Sequence, residues 1–283
     1  MANFPSHING ISSFKGFRLV HGSQFPGAIP SHGQNKKAIV IGCGTSAHDI
    51  AQDFYENGYS TTMVQRSSTL VISSENLSSA LSALYSEDGP PILDADMLYH
   101  STANPVTKRI NISLTKAQNK VDEQLLNGLE KVGFKINMGP DNSGLWITYL
   151  QHGGGYYIDV GCSQLIIDGK IKIKQGQEIA EILPHGVKFA DGEVLEADEI
   201  VFATGYQNMR TQCRNIFGDE LANKVHDIWG FDKEGELRTV WRNSGHPGFW
   251  FAGGNLSLCR WFSRLLALQI KGLEEGLYKH DNL

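Results

Sequence analysis

The sequence predicts an α/β fold with a parallel β-sheet, and three observations support this fold class. The segment 38–41 is a continuous apolar run of the kind that forms a strand covered on both faces. A glycine-rich turn and an amphipathic helix follow, with apolar residues at helical spacing from Ala47 to Phe54. A second strand is predicted at 61–65, after Gly58 has ended the helix. This order is typical of a βαβ unit.

The turn at 42–47 fits the G-x-G-x-x-G/A fingerprint of dinucleotide-binding proteins. Gly42 allows the tight turn, Gly44 lets the backbone approach a pyrophosphate, and the small Ala47 keeps helix and strand close. We therefore predict a Rossmann-type domain here, with the glycine-rich turn of some other βαβ unit as the alternative. The cofactor contacts predicted from this turn are Gly42, Gly44, Thr45, Ser46 and Ala47.

Arg66 and Ser67 follow the second strand, about 20 residues beyond the turn, where dinucleotide-binding proteins recognise the ribose. An acidic residue there would accept hydrogen bonds from a 2′-hydroxyl but would repel a 2′-phosphate. A guanidinium instead binds a phosphate through two hydrogen bonds. Arg66 and Ser67 therefore predict NADPH rather than NADH, and the alternative is a solvated arginine on a loop.

The composition indicates one large or two small globular domains, with 283 residues, 41% of them hydrophobic, and a net charge of -5. No dense run of Lys and Arg occurs, so we expect no nucleic-acid partner. The four cysteines lie far apart without a C-x-x-C pair, which argues against a metal site or a disulfide framework. No run approaches the ~20 apolar residues of a membrane span, so we expect no membrane contact and a cytoplasmic location.

A family resemblance begins upstream of the turn, in the lead-in segment 1–35. Phe14, Gly16, His21 and Phe25 resemble the F-x-G-x-x-x-H-x-x-x-[FY] signature that precedes the NADPH-binding turn of flavin-containing monooxygenases. Four residues separate Gly16 from His21, where the family has three. Physical reasoning favours a structural histidine at position 21 over a catalytic one.

A second resemblance to this family lies at 203–206, which reads A-T-G-Y and in that family closes the NADPH domain. It follows a predicted strand at 199–202, and open α/β sheets bind ligands beyond the ends of such strands. Thr204 and Gly205 are therefore predicted near the cofactor, with a plain strand-to-loop turn as the alternative. The sequence also predicts strands at 170–174 and 179–183 and a hairpin at 186–195.

Residues 69–154 interrupt the βαβ pattern and form a predicted insertion. Helices are expected at 79–85 and at 115–132, the second with a clear helical period. A long insertion in a compact fold usually serves a function, and here it is expected to shape the entrance for a small-molecule substrate. Four aromatic residues either line that pocket or pack in the core: Trp146, Tyr149, Tyr156 and Tyr157.

The segment 207–283 contains a predicted apolar strand at 248–252, two glycines and a helix at 256–278 that is apolar enough to be buried. In the flavin-containing monooxygenases, the first amides of this helix lie against the flavin ring and stabilise its reduced form. The resemblance therefore implies cofactor contacts at Gly254, Asn255 and Arg260. Capping and surface roles are the alternative for these residues.

The resemblance divides the chain into the lead-in at 1–35, an NADPH-binding domain at 36–206 and the C-terminal part of a flavin domain at 207–283. The family has an earlier glycine fingerprint for the ADP half of FAD, whereas this sequence contains one G-x-G-x-x-G/A motif. FAD is therefore implied with an incomplete site. Three alternatives follow: the chain is a truncated product, it refolds its C-terminal segment, or a partner chain or an oligomer supplies the missing half.

Two functions follow from this sequence. The first is an FAD- and NADPH-dependent monooxygenase, or a truncated member, that oxygenates a small organic metabolite through a C4a-peroxyflavin. The resemblance has a fungal character, which suggests a role in secondary metabolism. The sequence identifies no catalytic side chain, because the cofactors carry the chemistry in this family. The second is a non-catalytic NADPH-binding module that has lost FAD and associates with a partner.

Overall fold

The computed structural model describes residues 2–5, 8–277 and 279. The strands among them are β1 (Arg18–His21), β2 (Lys37–Ile41), β3 (Ser60–Gln65), β4 (Leu70–Ser73), β5 (Tyr156–Asp159), β6 (Ile171–Gln175), β7 (Ile179–Leu183), β8 (Gly186–Phe189), β9 (Val194–Glu196) and β10 (Glu199–Phe202). The α-helices are α1 (Thr45–Glu56), α2 (Ser74–Tyr85), α3 (Ile92–His100), α4 (Asn104–Val121), α5 (Glu123–Lys131), α6 (Gly144–His152), α7 (Cys162–Ile167), α8 (Met209–Lys224) and α9 (Leu256–Glu274).

The main sheet of the described residues has five parallel strands in the order β1-β10-β2-β3-β6. Its central strands β2 and β10 are buried almost throughout, because layers cover both faces, as their apolar sequences predict. The predicted α/β class with a parallel sheet is confirmed. The lead-in segment contributes the edge strand β1, which pairs with β10.

Helix α1 packs on one face of this sheet and buries the predicted apolar stripe. Ala47, Ala51 and Phe54 are each 0% exposed. The chain turns after the helix at Gly58, whose φ of 83° lies in the left-handed region. One residue departs from the apolar pattern: the polar His48 lies outside the predicted stripe and is nevertheless fully buried.

An antiparallel sheet of β7, β8 and β9 covers the other face of the main sheet. Its buried residues Ile182, Val187 and Phe189 pack with Ile39 and Phe202 of the main sheet. The strands predicted in this part of the chain are confirmed. This layer and α1 together enclose β2 and β10, which end at the candidate site.

The insertion at 69–154 is mostly helical and joins the rest of the chain through β4, which pairs in parallel with β5. The single helix predicted at 115–132 is wrong, because α4 ends at Val121 and α5 begins at Glu123. Asp122 between them accepts hydrogen bonds from the Ser73 hydroxyl at 2.7 Å and from the Asn76 amide group at 2.9 Å. The helix predicted at 79–85 corresponds to α2, which begins earlier, at Ser74.

The C-terminal segment departs most from the prediction. No strand forms at 248–252 among the described residues, where Phe251 makes a single parallel bridge with Val240. Helix α9 ends before the predicted boundary at Tyr278, which lies outside the described residues. The expectation that α9 is buried is wrong for much of its length, since Leu268 is 68% exposed.

Candidate functional site

The carboxyl ends of β1, β10 and β2 lie side by side, because His21, Phe202 and Ile41 occupy matching positions in these strands. The chain leaves β2 toward β3 on one side, while β10 and β1 lie on the other. Open α/β sheets bind ligands where the strand order reverses in this way. The turn at 42–47 and the segment at 203–206 both leave the sheet at this edge.

Gly42 makes the closest backbone approach within the turn. Its φ is 128°, and a Cβ atom at this position would lie 2.4 Å from the carbonyl oxygen of Ala203. Its amide donates to the carbonyl oxygen of Val64, 3.0 Å away. Any side chain would collide here, so glycine is what allows the turn to pack against the end of β10.

Helix α1 begins directly after Gly44, and no side chain of the described residues caps its first amides. A Cβ atom on Gly44 would approach the Tyr156 carbonyl oxygen to 3.7 Å, which is an ordinary contact. Thr45 and Ser46 are exposed, and the Thr45 hydroxyl donates to the same carbonyl oxygen at 3.3 Å. Uncapped amides at a helix N-terminus bind phosphate groups, so these residues form a suitable pyrophosphate cradle.

His48 holds this turn from within, a role that the sequence analysis missed. Its buried ring lies 3.6 Å from the Tyr157 ring in a parallel stack, and its Nδ1 donates to the Gly44 carbonyl oxygen at 3.0 Å. Burial lowers the pKa of His48 to about 4, so the ring is neutral near pH 7. Nε2 has no hydrogen-bond partner among the described residues. The sequence carried one signal for the burial of His48: it lies three residues before Ala51, a member of the apolar stripe of α1.

Arg66 and Ser67 lie just beyond β3, two and three residues after Val64, whose carbonyl accepts from the glycine turn. Both side chains are exposed. Gln65 fixes the end of the strand through two hydrogen bonds of 2.8 Å with the backbone of Lys135. The structure thus places a cation at the same sheet edge as the turn, and its contact with a 2′-phosphate stays a prediction.

Thr204 and Gly205 are held by the N-terminal segment. The Thr204 hydroxyl donates to the Asn3 carbonyl oxygen at 2.6 Å, and the Asn3 amide donates to the Gly205 carbonyl oxygen at 2.9 Å. The same oxygen lies 2.9 Å from Nε2 of the buried His21, whose Nδ1 accepts from the Ser23 amide. These contacts support a structural role for His21, and cofactor contacts of Thr204 and Gly205 stay predictions.

Gly254 and Asn255 form the start of α9, where the sequence predicted flavin contacts. The Asn255 side-chain oxygen caps the helix by accepting from the Leu258 amide at 2.9 Å, and the Asn255 amide donates to the Tyr149 hydroxyl at 2.8 Å. Gly254 has a φ of 108°. The capping alternative is therefore present in the structure, and the cofactor contacts stay predictions.

Arg260 joins α9 to the insertion helix α3. Its Nε and Nη2 donate to the two carboxylate oxygens of Asp96, each at 2.6 Å. The Asp96 side chain is buried, and its hydrogen bonds with Arg260 lower its pKa. Two guanidinium nitrogens are thus used within the chain, so the predicted cofactor contact would fall to Nη1.

A cavity of about 470 Å³ lies between the insertion and the start of α9. Trp146, Tyr149 and Tyr156 line it, as one of the two sequence alternatives proposed, whereas Tyr157 is buried in the core. Tyr156 connects the cavity to the glycine turn, because its carbonyl oxygen accepts from the first residue of α1. The turn, Tyr156 and Asn255 therefore belong to one connected region.

Among the described residues, no helix combines the length and apolarity needed to cross a membrane. In the same part of the chain, no group of three or more His, Cys, Asp or Glu side chains is placed to hold a metal ion. The four cysteines are free thiols, of which three are buried: Cys43, Cys162 and Cys213.

Comparison with known proteins assigns the family. Residues 2–212 match the family model described as flavin-binding monooxygenase-like. The chain belongs to this family. Among curated proteins similar to this chain, the probable indole-3-pyruvate monooxygenase YUCCA1 of Arabidopsis thaliana is 28% identical over 214 residues, which cover 72% of this chain and 43% of that protein. Indole-3-pyruvate monooxygenase YUCCA8 of Oryza sativa subsp. indica is 27% identical over 256 residues, covering 87% and 51% respectively. The chain thus spans about half the length of these relatives.

Solved structures show the same fold at low sequence identity. Cyclohexanone-bound cyclohexanone monooxygenase has a TM-score of 0.56 at 12% identity, with 97% of this chain and 61% of that chain covered. OTEMO in complex with FAD and NADP has a TM-score of 0.54 at 15% identity, with 97% and 60% covered. These likenesses support the fold of a flavin-binding monooxygenase across nearly the whole of this chain.

Proposed function

We propose that this chain forms the NADPH-binding part of an FAD- and NADPH-dependent monooxygenase that oxygenates a small organic metabolite. One observation carries the proposal: Gly42 packs against Ala203 where a Cβ atom would collide, and the first amides of α1 beside it are uncapped. The residues present therefore fit a dinucleotide pyrophosphate. Membership of the flavin-binding monooxygenase-like family supports the reaction class.

Each part of the turn would have a separate task toward NADPH, which when bound supplies a hydride. The amides of Thr45 and Ser46 would hold the pyrophosphate, while Arg66 and Ser67 would hold the 2′-phosphate. His48 would keep the Gly44 carbonyl turned inward, so that the amides of the turn point toward the cofactor. Thr204 and Gly205 would close the other side of the crevice.

The residues for FAD are incomplete in this sequence, because its one glycine fingerprint is assigned to NADPH. Gly254 and Asn255 would contact the flavin ring, and the ADP half of FAD would be held by another polypeptide or by further sequence. A cytoplasmic location and a role in secondary metabolism remain proposals from the sequence.

The single fingerprint also favours a second candidate function, a non-catalytic NADPH-binding module. A titration of the purified chain with FAD, followed by desalting and NADPH, distinguishes the two. Retained flavin that NADPH bleaches and air restores supports the monooxygenase. NADPH binding without retained flavin supports the module.

Ser46→Glu tests the site that both functions share. An acidic residue in the first turn of α1 favours the helix but repels a phosphate, so saturable NADPH binding should be lost while the fold is kept. Ser113→Glu, at an exposed position within α4, is the matched control and should bind NADPH like the unchanged chain. Equal NADPH affinity in the two variants would contradict the proposed site.

A further inference from the structure

The cavity of about 470 Å³ is large enough for a small organic molecule, since ligand sites generally measure ~300–1,000 Å³. Its wall is built from α2, α3, α4, α6 and β5, and Asn255 completes it beside the start of α9. Most of this wall belongs to the insertion, which contributes nothing to the glycine turn itself. The cavity is therefore a separate compartment next to the proposed NADPH site.

The described residues that line the cavity carry no charged side chain. Eight of them are aliphatic, among them Leu98, Ile110 and Leu114, and these three are also at least half exposed at its rim. Four are aromatic: Tyr99, Trp146, Tyr149 and Tyr156. The remaining five are hydroxyl or carboxamide residues: Thr102, Thr107, Asn111, Gln118 and Asn255. Such a wall offers apolar contact and neutral hydrogen-bonding groups.

The aromatic side chains form a connected wall rather than isolated contacts. The rings of Tyr99 and Trp146 meet edge to face with centroids 5.1 Å apart, and Trp146 and Tyr149 follow at 5.7 Å. Tyr149 then meets Tyr156 edge to face at 6.4 Å. Because aromatic rings pack well against one another in such offset arrangements, this wall favours a flat aromatic ligand.

The wall also keeps its polar atoms neutral. Burial raises the pKa of Tyr149 and of Tyr156, so both hydroxyls stay protonated near pH 7. The neighbouring Arg260 is not part of the wall, and it is bound by Asp96 through two hydrogen bonds. A carboxylate entering the cavity would therefore lose its hydration without gaining a cation.

We propose that this cavity binds a neutral, largely apolar aromatic molecule and discriminates against the corresponding carboxylate. Its position deepens the proposed function: Tyr156 bonds the first residue of the NADPH-binding helix, which makes the cavity the compartment for the molecule to be oxygenated. That assignment as a substrate site rests on the proposed function. The ligand preference itself rests on the chemistry of the wall.

Calorimetric titration with two probes of equal shape tests the preference: 1-naphthaleneacetamide, which is neutral, and 1-naphthaleneacetate, which is an anion at neutral pH. We expect saturable binding of the amide and at least about tenfold weaker binding of the acetate, because the desolvated carboxylate has no counterion. Equal affinities, tighter binding of the acetate, or no saturable binding of the amide would overturn the proposal.

Leu114→Arg locates the binding within the cavity. Leu114 lines the cavity from α4 and is 51% exposed, so the substitution leaves the core intact while placing a cation at the rim. We expect the preference to reverse, with the acetate gaining about tenfold relative to the amide. Ser113→Arg lies on the same helix at an exposed position that does not line the cavity, and it should leave the preference unchanged. An identical response in the two variants would place the probes elsewhere and overturn the proposal.

These titrations contain neither NADPH nor FAD, so their outcome is independent of the proposed function. Ser46→Glu should abolish NADPH binding and leave the amide titration unchanged. Loss of amide preference with intact NADPH binding would refute only the cavity ligand. Intact amide preference in a chain that binds no NADPH would refute only the proposed function.

Discussion

The ring of Tyr157 lies face to face with that of His48, with centroids 3.6 Å apart and planes 3° from parallel. Tyr157 belongs to β5, outside the main sheet, so the stack joins the β4 and β5 pair to the helix that carries the glycine turn. Both side chains are fully buried, and the imidazole also donates to the Gly44 carbonyl oxygen. A protonated His48 would be a fully buried cation, and the cost of its burial outweighs the attraction of the nearby Asp159 carboxylate, so the arrangement favours the neutral ring.

We predict that His48 lowers the stability of the protein in mild acid. Its pKa is about 4 in the folded chain and near 6.5 when unfolded, so the unfolded state binds the proton first as the pH falls. The contribution of the neutral His48 ring to the free energy of unfolding is fully present above about pH 6.5. It falls by roughly 3 kcal/mol as the pH approaches 4. Urea unfolding at a series of pH values measures this loss.

The matched variants for this prediction are His48→Phe and His152→Gln. Phenylalanine keeps a stacked ring but cannot titrate, so its unfolding free energy should depend less steeply on pH between about 6.5 and 4. His152 is exposed at the end of α6, and its replacement should preserve the slope of the unchanged chain. If the unfolding free energy of His48→Phe depends on pH as steeply as that of the unchanged chain, the buried ring is not the source of the loss in acid.

Arg66→Ala should weaken NADPH binding by about ten- to a hundredfold while leaving NADH binding within about twofold. The expected loss is that of charge-assisted hydrogen bonds to the 2′-phosphate, which NADH lacks. Fluorescence titration with both nucleotides gives the two dissociation constants. Arg109→Ala removes an equally charged, exposed side chain from α4 and should change neither. Equal losses for NADPH and NADH would refute the 2′-phosphate assignment.

Gly42→Ala and Gly44→Ala separate packing from cofactor approach. At position 42 the new Cβ atom would lie 2.4 Å from a carbonyl oxygen at a φ of 128°, so we expect a loss of at least about 2 kcal/mol of unfolding free energy. At position 44 the φ is -86° and the nearest contact is 3.7 Å, so the loss should stay near 1 kcal/mol or below. Both should weaken NADPH binding, because Gly44 is where the pyrophosphate approaches. Equal unfolding free energies of the two variants, measured by urea unfolding, would contradict the close approach of Gly42 to the Ala203 carbonyl oxygen.

Arg260→Gln should destabilise the protein by about 2 kcal/mol, because the buried Asp96 carboxylate then keeps the Tyr85 hydroxyl as a donor but loses its cationic partner. The loss is smaller than the ~3–5 kcal/mol of a fully buried pair because the Arg260 side chain is 37% exposed. The double variant Asp96→Asn, Arg260→Gln should recover part of the loss. Additive losses in this double-mutant cycle, measured by urea unfolding, would show that the two residues do not depend on each other.

Local sequence patterns were sufficient for the main sheet and the glycine turn. The apolar run at 38–41 and the fingerprint at 42–47 specify their own conformation, because burial on both faces and a positive φ each demand particular residue types. The A-T-G-Y segment placed a strand directly before it, and the structure shows that this strand, β10, pairs with β2. The predicted cofactor residues of the turn thus meet at one sheet edge, although their contacts stay predictions.

The incorrect predictions concern segments whose structure depends on contacts with residues distant in the sequence. Asp122 separates α4 from α5 because its carboxylate accepts from Ser73, about fifty residues earlier in the chain. The apolar run at 248–252 forms no strand within the described residues, where its pairing is limited to one isolated bridge between Phe251 and Val240. The burial of His48 depended on Tyr157 arriving from another layer, which helical periodicity alone does not indicate.

The edge strand β1 gives the lead-in segment a consequence for the solubility of shortened chains. Arg18 of β1 forms a 2.5 Å ion pair with the buried Glu199, which also accepts from the Tyr59 hydroxyl at 2.7 Å. A chain that began at residue 36 would uncover the apolar edge of β10 and leave the buried Glu199 carboxylate without its cationic partner. Such a chain would retain every residue of the fingerprint and yet associate edge to edge and aggregate. The practical N-terminal limit of a shortened chain that keeps the main sheet intact is therefore set before Arg18.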